Sequence, residues 1–258
     1  MKKYELTDET KKINGKTLYR IKALKNLEYD NIKAGDLGGF VEKEKNLSHY
    51  GNCWIYHNSC VYDKARVSGN AKIIGECNIY DRAKISDNAW VENSEIFNDA
   101  YIFDNGRVYN CIVKDNSNIF GDAHIYRNCT ISGKSRIYGE VQVKDDSTLQ
   151  NVFIYGNGSI TTSELYGSFI SDKVNIINGY IKGEEYIYIS NLNGFNGGLI
   201  TNVTAYKTKD DDIYINMCYD GFKGTLNEYK IFIKAKEEDG EDVEMYRAIY
   251  NLIKARFN

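Results

Sequence analysis

From Ile55 onward an aliphatic side chain returns about every six residues, at Val61, Val67, Ile73, Ile79, Ile85 and Val91. The series resumes at Ile96, Ile102 and Val108, then Val113, Ile119, Ile125, Ile131, Ile137, Val143 and Leu149. It continues through Ile154, Ile160, Leu165, Ile170, Ile176 and Ile181. Most steps are six residues and six of them are five. Neither a 3.6-residue helical period nor a strict two-residue alternation produces such a series. A short strand followed by a tight corner does. The aliphatic residue points inward and its two neighbours point outward. The third and fourth positions are then Asp-Lys, Gly-Asn, Gly-Glu, Asp-Arg or Asp-Asn, types that tolerate turns and left-handed backbone. The fifth must tuck inside the corner, and it is small: Ala65, Ala71, Cys77, Ala83, Ala89, Ala100, Ser117, Ala123, Cys129 and Ser135.

Three such units close a triangular coil of about 18 residues, which predicts a mainly β protein built on a parallel β-helix of seven to eight coils. Assigned in turn to three faces, the five-residue steps begin at Val91, Val108, Ile160 and Ile176 on one face. Those at Leu149 and Leu165 begin on a second, and none begins on the third. Shortened corners should therefore stack on one another. The hexapeptide pattern resembles the left-handed β-helix superfamily that includes the hexapeptide acyltransferases. The segment GDLGGFVEKEKNLSHYGNCWIY (Gly35 to Tyr56) is closer still to phage, prophage and bacterial proteins labelled polymer-forming cytoskeletal or hexapeptide-transferase-like. That resemblance implies a left-handed coil; the period by itself leaves the hand open.

The two ends lack the period, so three segments are expected: an N-terminal β cap over 1–48, the coils over 49–198 and a C-terminal module over 199–258. KTLYRIKAL (Lys16 to Leu24) alternates like a strand and YELT can pair with it through a turn at Asn14-Gly15. The first coil needs a cover, because an open edge invites aggregation. Gly35, Gly38 and Gly39 read as a tight connection, since no strand-loop-helix context supports a phosphate loop. Beyond residue 199, VTAYK and IYINM read as a hairpin around the acidic run ending at Asp212. Thr225-Leu-Asn-Glu228 reads as a capping box opening a helix to about Lys236. Asp242 can cap a second helix with Met245, Ile249, Leu252, Ile253 and Phe257 along an apolar face, completing a ββαα module.

A net charge of −3 argues against a general nucleic-acid or membrane-surface binder. No apolar run approaches the length of a membrane span. MKKYELTDET has no apolar stretch behind its lysines, so no secretory leader is expected and the cytoplasm is the expected residence. There are six cysteines and no CxxC. Cys53, Cys77 and Cys129 fall on the small interior position and read as packing residues. Proline is absent, which suits a chain made largely of paired strands.

Candidate chemistry is sparse. Hexapeptide acyltransferases, as the resemblance implies, use a histidine as general base. The histidines here are His49, His57 and His124. His49 is expected in an aliphatic slot of the first coil, His57 on a turn and His124 on an outward face. None comes with an inserted loop to cover an acyl donor, so no catalytic residue is assigned. Asp63, Asp81, Asp87, Asp104 and the pair Asp145-Asp146 are corner residues. The run Asp210 to Asp212 lacks the spaced ligands of a calcium loop, and neither a metal nor a cofactor is expected.

The outward positions say more. The residue after each aliphatic one is often aromatic. Sorted by face, Phe103, Phe120, Tyr138 and Tyr155 fall on one face in four successive coils, predicting a ladder about 14 Å long at the spacing of neighbouring strands. Tyr62, Tyr80 and Phe97 predict a shorter ladder on a second face. Such rings stabilise a pleated surface, and a contiguous exposed apolar stripe also marks an interface. These seven residues are the candidate binding residues. The residue before the aliphatic one is often basic (Arg66, Lys72, Lys84, Arg107, Arg136), yet residues 49 to 199 hold 13 Lys and Arg against 17 Asp and Glu. Three readings follow. The first is a non-enzymatic scaffold, a homo-oligomer and foremost a trimer, that engages a protein partner; the phage resemblance implies a host defence factor that it inhibits. The second is a small-ligand or nucleotide binder with Tyr- and Arg-lined pockets between rods. The third is an acyltransferase or a degenerate relative. The first is favoured, with neither membrane nor nucleic acid as partner.

Overall fold

The computed structural model describes residues 2–27, 31–161, 164–166, 169–170, 175–177, 180–182, 188–192, 201–207, 212–217 and 221–257. The periodic segment forms a parallel β-solenoid of about seven turns. Most of its strands are two or three residues long, such as Trp54–Ile55, Cys60–Val61 and Arg66–Val67, while Arg136–Lys144 and Phe153–Thr161 each run nine residues. Each pairs in parallel with the strand one turn above it: Ile55 with Ile73, Val61 with Ile79, Val67 with Ile85. Hydrogen bonds therefore run along the solenoid, as from Trp54 N–H to the Ala71 carbonyl at 3.0 Å and from Tyr56 N–H to Ile73 at 2.8 Å.

The aliphatic series lies inside. The described members from Ile55 to Ile160 are at most 1% exposed, as are the expected small residues from Ala65 to Ser135. The corners use the left-handed backbone that their Asp, Asn and Gly residues tolerate, with φ of 57° at Asp63, 56° at Asp81 and 66° at Gly69. Corner side chains also bond upward. Asn52, Asn70, Asn88 and Asn105 each donate an amide hydrogen to the next carbonyl or carboxylate above, ending on Asp122, at 2.9–3.3 Å. The shortened steps at Val91 and Val108 do stack, one turn apart on the same corner. The small-residue rule relaxes late, where Val141 fills a fifth position and Val152 the fourth place of a shortened step, and both are buried.

At the N-terminal end, strands β1 (Tyr4–Ile13) and β2 (Lys16–Ala23) form an antiparallel hairpin turning at Asn14 and Gly15, both with positive φ. β2 pairs antiparallel with β3 (Leu37–Val41), and β3 then pairs in parallel with Cys60–Val61. Gly38 and Gly39 permit this approach: a Cβ on Gly38 would stand 2.6 Å from both Ile21 Cγ1 and the Ile55 carbonyl. Val41 thus sits one turn below Val61, and Leu47 bridges to Val67. The solenoid register extends below residue 49, and the slot expected for His49 is filled by Leu47, 1% exposed. The longer corner between Leu47 and Ile55, with Gly51 at φ 72°, displaced the count.

At the other end Thr201–Lys207 and Ile213–Met217 pair antiparallel as expected; of their acidic connection, residues 208–211 lie outside the described residues. Two further strands, Tyr188–Leu192 and Lys223–Thr225, flank them to make a four-stranded sheet. Helix α1 (Leu226–Glu238) opens on the Thr225–Glu228 capping box, and in α2 (Glu244–Phe257) the first N–H bonds to the Asp242 carboxylate at 3.1 Å. Their inner faces share a core with the sheet through Val203, Ile215, Tyr229, Ile233, Ile249 and Ile253. Leu252, expected on that apolar face, is 45% exposed, and Tyr246 is buried instead. Residues three and four apart share a helix face, so Tyr246, Ile249 and Ile253 define the buried stripe and Leu252 falls off it.

Candidate functional site

The position after each interior aliphatic residue begins a corner, so its side chain stands on the outer surface and repeats one turn above itself. On the face of Ile102, Ile119, Ile137 and Ile154, this stacks four rings. Phe103 and Phe120 have centroids 4.7 Å apart and planes 7° from parallel; Phe120 and Tyr138 lie at 4.7 Å and 9°, Tyr138 and Tyr155 at 5.4 Å and 12°. All four are half-buried. Each stack between neighbours is worth about 0.5–1.5 kcal/mol beyond area burial.

Two rings that sequence reasoning did not assign widen the strip. Tyr101 stacks on Phe103 at 4.4 Å, and Phe153 meets Tyr138 and Tyr155 edge-on at 5.7 and 5.9 Å. Both precede the aliphatic residue of their strand. Sorting those preceding positions by face, as was done for the following ones, would have found them. Every ring contact of Phe103, Phe120 and Tyr138 among the described residues is with another ring of this face.

The second ladder forms with equal regularity: Tyr62 to Tyr80 at 5.2 Å and 7°, Tyr80 to Phe97 at 5.0 Å and 2°. Its first rung is not available as an interface. Tyr62 is 3% exposed, packed with Leu18 of β2, Phe40 of β3 and Cys60. Lys16 of β2 holds its ammonium 5.3 Å from the Tyr62 centroid and pairs with Asp63. Arg20 lies over the neighbouring Phe40 ring at 4.4 Å, and Lys11 at 5.7 Å. Burial pushes the Tyr62 phenol up to about 12, with Asp63 adding to the effect. Tyr80 is raised too, by burial and by donating to Glu95 at 2.8 Å. Sequence reasoning missed this cover because Lys16 and Asp63 lie on unrelated segments.

The histidines separate by their surroundings. His49 stacks on Tyr4 at 4.4 Å, and its Nδ1 accepts the Lys3 backbone N–H at 3.3 Å. The proton of neutral His49 therefore sits on Nε2, which faces Glu44 at 3.8 Å. With Nδ1 engaged, no lone pair is left for a base. His57 occupies a corner at φ 54°. His124 stands between Arg107 and Gln142 on the third face and makes no side-chain hydrogen bond among the described residues. Burial first and the Arg107 charge second hold its imidazole below the usual value, so it is neutral at pH 7.

Where the two shortened corners draw inward, a shallow groove of about 400 Å³ opens, lined by Glu76, Asn93, Glu95, Asn110, Asn128 and Thr130. Cys111 and Cys129 lie at its floor, 4% and 0% exposed. Burial likewise pushes the Cys77 thiol up to about 11, so it is protonated at neutral pH. No cluster of metal-ligating side chains occurs among the described residues, and no helix there is long and apolar enough to cross a membrane.

Comparison with a family model falls on the same coils. Residues 55–170 match the family model described as the GMPPB C-terminal domain, less than half of the chain. The uncharacterized acetyltransferase YdcK of Escherichia coli (strain K12) is 28% identical over 103 residues, 37% of this chain and 32% of that protein. The chain thus spans about a third of the length of the curated relative it matches. Both similarities support the hexapeptide-repeat β-helix class; neither carries a partner or a substrate to this chain.

Proposed function

We propose that the solenoid is a rigid, non-enzymatic scaffold that engages a protein partner through the strip of Phe103, Phe120, Tyr138 and Tyr155. The observation that supports it is the uninterrupted stack of half-buried rings, whose ring contacts at Phe103, Phe120 and Tyr138 are, among the described residues, only with rings of its own face. Aromatic side chains are enriched at interface centres, where they bury much area for little side-chain entropy. The resemblance of Gly35–Tyr56 to phage and prophage proteins extends the proposal to its partner: a host defence factor that the rod inhibits. The test compares the wild-type chain with Phe120→Glu, by light-scattering mass and by recovery of partners on the immobilised chain. The expected result is loss of one discrete partner or of assembly mass, with an unchanged β signal in circular dichroism. Identical mass and recovery in the variant would discard the scaffold reading.

The acyltransferase reading has one observation in its favour beyond the relative's printed name. His124 is neutral and without a hydrogen-bond partner among the described residues, the state a general base requires. It predicts that acetyl transfer from acetyl-CoA to an added hydroxyl- or amine-bearing acceptor, read as thiol release, disappears in His124→Ala. The scaffold reading predicts no thiol release from either chain.

A further inference from the structure

Beneath the groove, one interior corner carries a column of small side chains, one per turn: Ser59, Cys77, Ser94, Cys111, Cys129 and Ser147, each at most 4% exposed. Hydrogen bonds tie successive turns together here. The Cys77 N–H donates to the Ser59 hydroxyl at 3.2 Å, the Cys111 N–H to the Ser94 hydroxyl at 3.0 Å, and the Ile112 N–H to the Cys129 carbonyl at 2.9 Å. Serine and cysteine alternate in use because both are small. In this column thiols meet on consecutive turns at Cys111 and Cys129, whereas Cys77 has Ser59 below it and Ser94 above. The shortened step at Val108 brings Cys111 into the column at a fourth place, where Cys129 holds a fifth.

The residues that follow the two cysteines, Ile112 and Thr130, pair in parallel register. The cysteine backbones therefore stand one strand spacing apart, about 4.8 Å, within the roughly 4.4–6.8 Å between Cα atoms that a disulfide spans. Both are free thiols. Their sulfurs are in hydrogen-bond contact, and that contact is the first cause of opposite shifts: it pushes Cys111 far above the usual thiol range and holds Cys129 below it against the effect of burial. A lowered thiol beside a second one is the arrangement in which an oxidised sulfur finds its resolving partner at once. Both residues line the groove of about 400 Å³, which gives a small solute a path to them.

We propose that Cys111 and Cys129 form a redox site that closes a disulfide between two turns of the solenoid when hydrogen peroxide enters the groove. The Cys129 sulfur attacks one peroxide oxygen and the O–O bond breaks. The departing oxygen takes the Cys129 thiol proton and leaves as water, and Cys129 becomes a sulfenic acid. The Cys111 sulfur then attacks the sulfenic sulfur, the S–O bond breaks, and the hydroxyl leaves as water with the Cys111 proton. Two thiols give up two electrons and one peroxide is reduced to two waters. A thiol reductant reverses the bridge by exchange. Cys77 takes no part, since the column gives it no neighbouring thiol and burial keeps it protonated. The site is independent of what the aromatic strip binds.

The test treats the folded full chain with hydrogen peroxide at a dose that fully oxidises free glutathione, blocks remaining thiols by alkylation in denaturant and maps the tryptic peptides by mass. Trypsin separates the two cysteines into VYNCIVK (Val108–Lys114) and NCTISGK (Asn128–Lys134). The expected product is these two peptides joined with the loss of two hydrogens, separated again by dithiothreitol, while Cys77 is recovered alkylated. The circular dichroism β signal should be the same before and after. Cys111→Ser places in the column a residue that it already holds at Ser94 and Ser147, so the turn should pack as before. In that variant oxidation should stop at the Cys129 sulfenic acid, trapped as its dimedone adduct, with no joined peptide. Recovery of both cysteines as alkylated thiols from peroxide-treated wild type, a bridge from either to any other cysteine, or a bridge that forms only as the β signal is lost would each overturn the inference.

Discussion

The two aromatic strips are built by one rule and end in opposite states. In each, the residue after an interior aliphatic side chain is a ring, repeated one turn above at 4.7–5.4 Å. The strip of Tyr62, Tyr80 and Phe97 begins at the first turns and loses its first rung to the hairpin, leaving Tyr62 3% exposed. The strip that starts at Phe103 lies on another face and begins about two turns above Tyr62, and among the described residues its middle rings make ring contacts only with rings of their own face. Local sequence sets the stacking; the turn and face on which the hairpin lies set whether a rung is packing or surface.

The sharpest way to break this contrast is to delete one ring from each. Tyr62→Ala removes a ring enclosed by Leu18, Phe40 and Cys60, and large-to-small changes at such sites cost about 3–5 kcal/mol. Phe120→Ala removes two ring stacks of about 0.5–1.5 kcal/mol each, about 1–3 kcal/mol of stacking, and a ring that is only partly buried, so it should cost less than Tyr62→Ala. Urea unfolding of the two variants measures both. Equal losses would mean that the longer strip is enclosed as well, and the interface proposal would lose its basis.

A milder perturbation prises the cover from the closed strip without touching a ring. Gly38→Ala drives a methyl group into Ile21 and the Ile55 carbonyl, where neither the hairpin nor the first turn has room. Overpacking of this kind costs about 1–3 kcal/mol. The variant should melt at lower temperature, and Tyr62 should become accessible to iodination while Phe120 and its neighbours are unaffected. A variant as stable as wild type would show that the hairpin is loosely seated.

The solenoid was legible because a period repeats one decision many times. Any single Ile-Tyr-Asp-Arg-Ala is weak, but Ile79 to Ala83 recurs in kind at Val61 and Ile96, and the shortened steps respect the faces. The stacked rings followed from the same bookkeeping. Thr225 and Glu228 were legible for a different reason: a capping box is local, four residues that bond to one another. Contacts between distant segments had no such signal. Nothing near Lys16 announces Asp63, and nothing in Tyr188–Leu192 announces its pairing with Thr201–Lys207. The long corner after Leu47 broke the count once, and a single slip was enough to place His49 inside when it lies against Tyr4. Period and capping chemistry are read along the chain, whereas the cover over Tyr62 depends on where the chain returns.

Alkaline pH probes the closed strip through the Tyr62 phenol. Its pKa in the fold, about 12, lies above the ordinary tyrosine value near 10. Between these values the unfolded chain has lost the proton that the folded chain keeps, so stability falls as pH rises through this window. Below about pH 10 the contribution is fully present. Tyr62→Phe removes the titrating group, and its melting temperature should decline less steeply over that range than that of wild type. Parallel declines would place the phenol in water rather than under the hairpin.

The smallest effect belongs to the charge that accompanies the cover. Lys16 and Asp63 pair at the edge of the closed strip, with side chains 33% and 28% exposed. Pairs at such partly open positions contribute about 0.2–1 kcal/mol, so a double-mutant cycle of Lys16→Gln and Asp63→Asn should return a coupling in that range, reduced by salt. The comparison with Asp104 makes this small number informative. Asp63→Asn removes an existing partner from Lys16, whereas Asp104→Asn removes a charge that no cation of the described chain satisfies, so the latter should leave the stability of the isolated chain nearly unchanged. If Asp104→Asn instead destabilises the chain as much as Asp63→Asn, the carboxylate already serves the fold through the Gly121 N–H that it accepts.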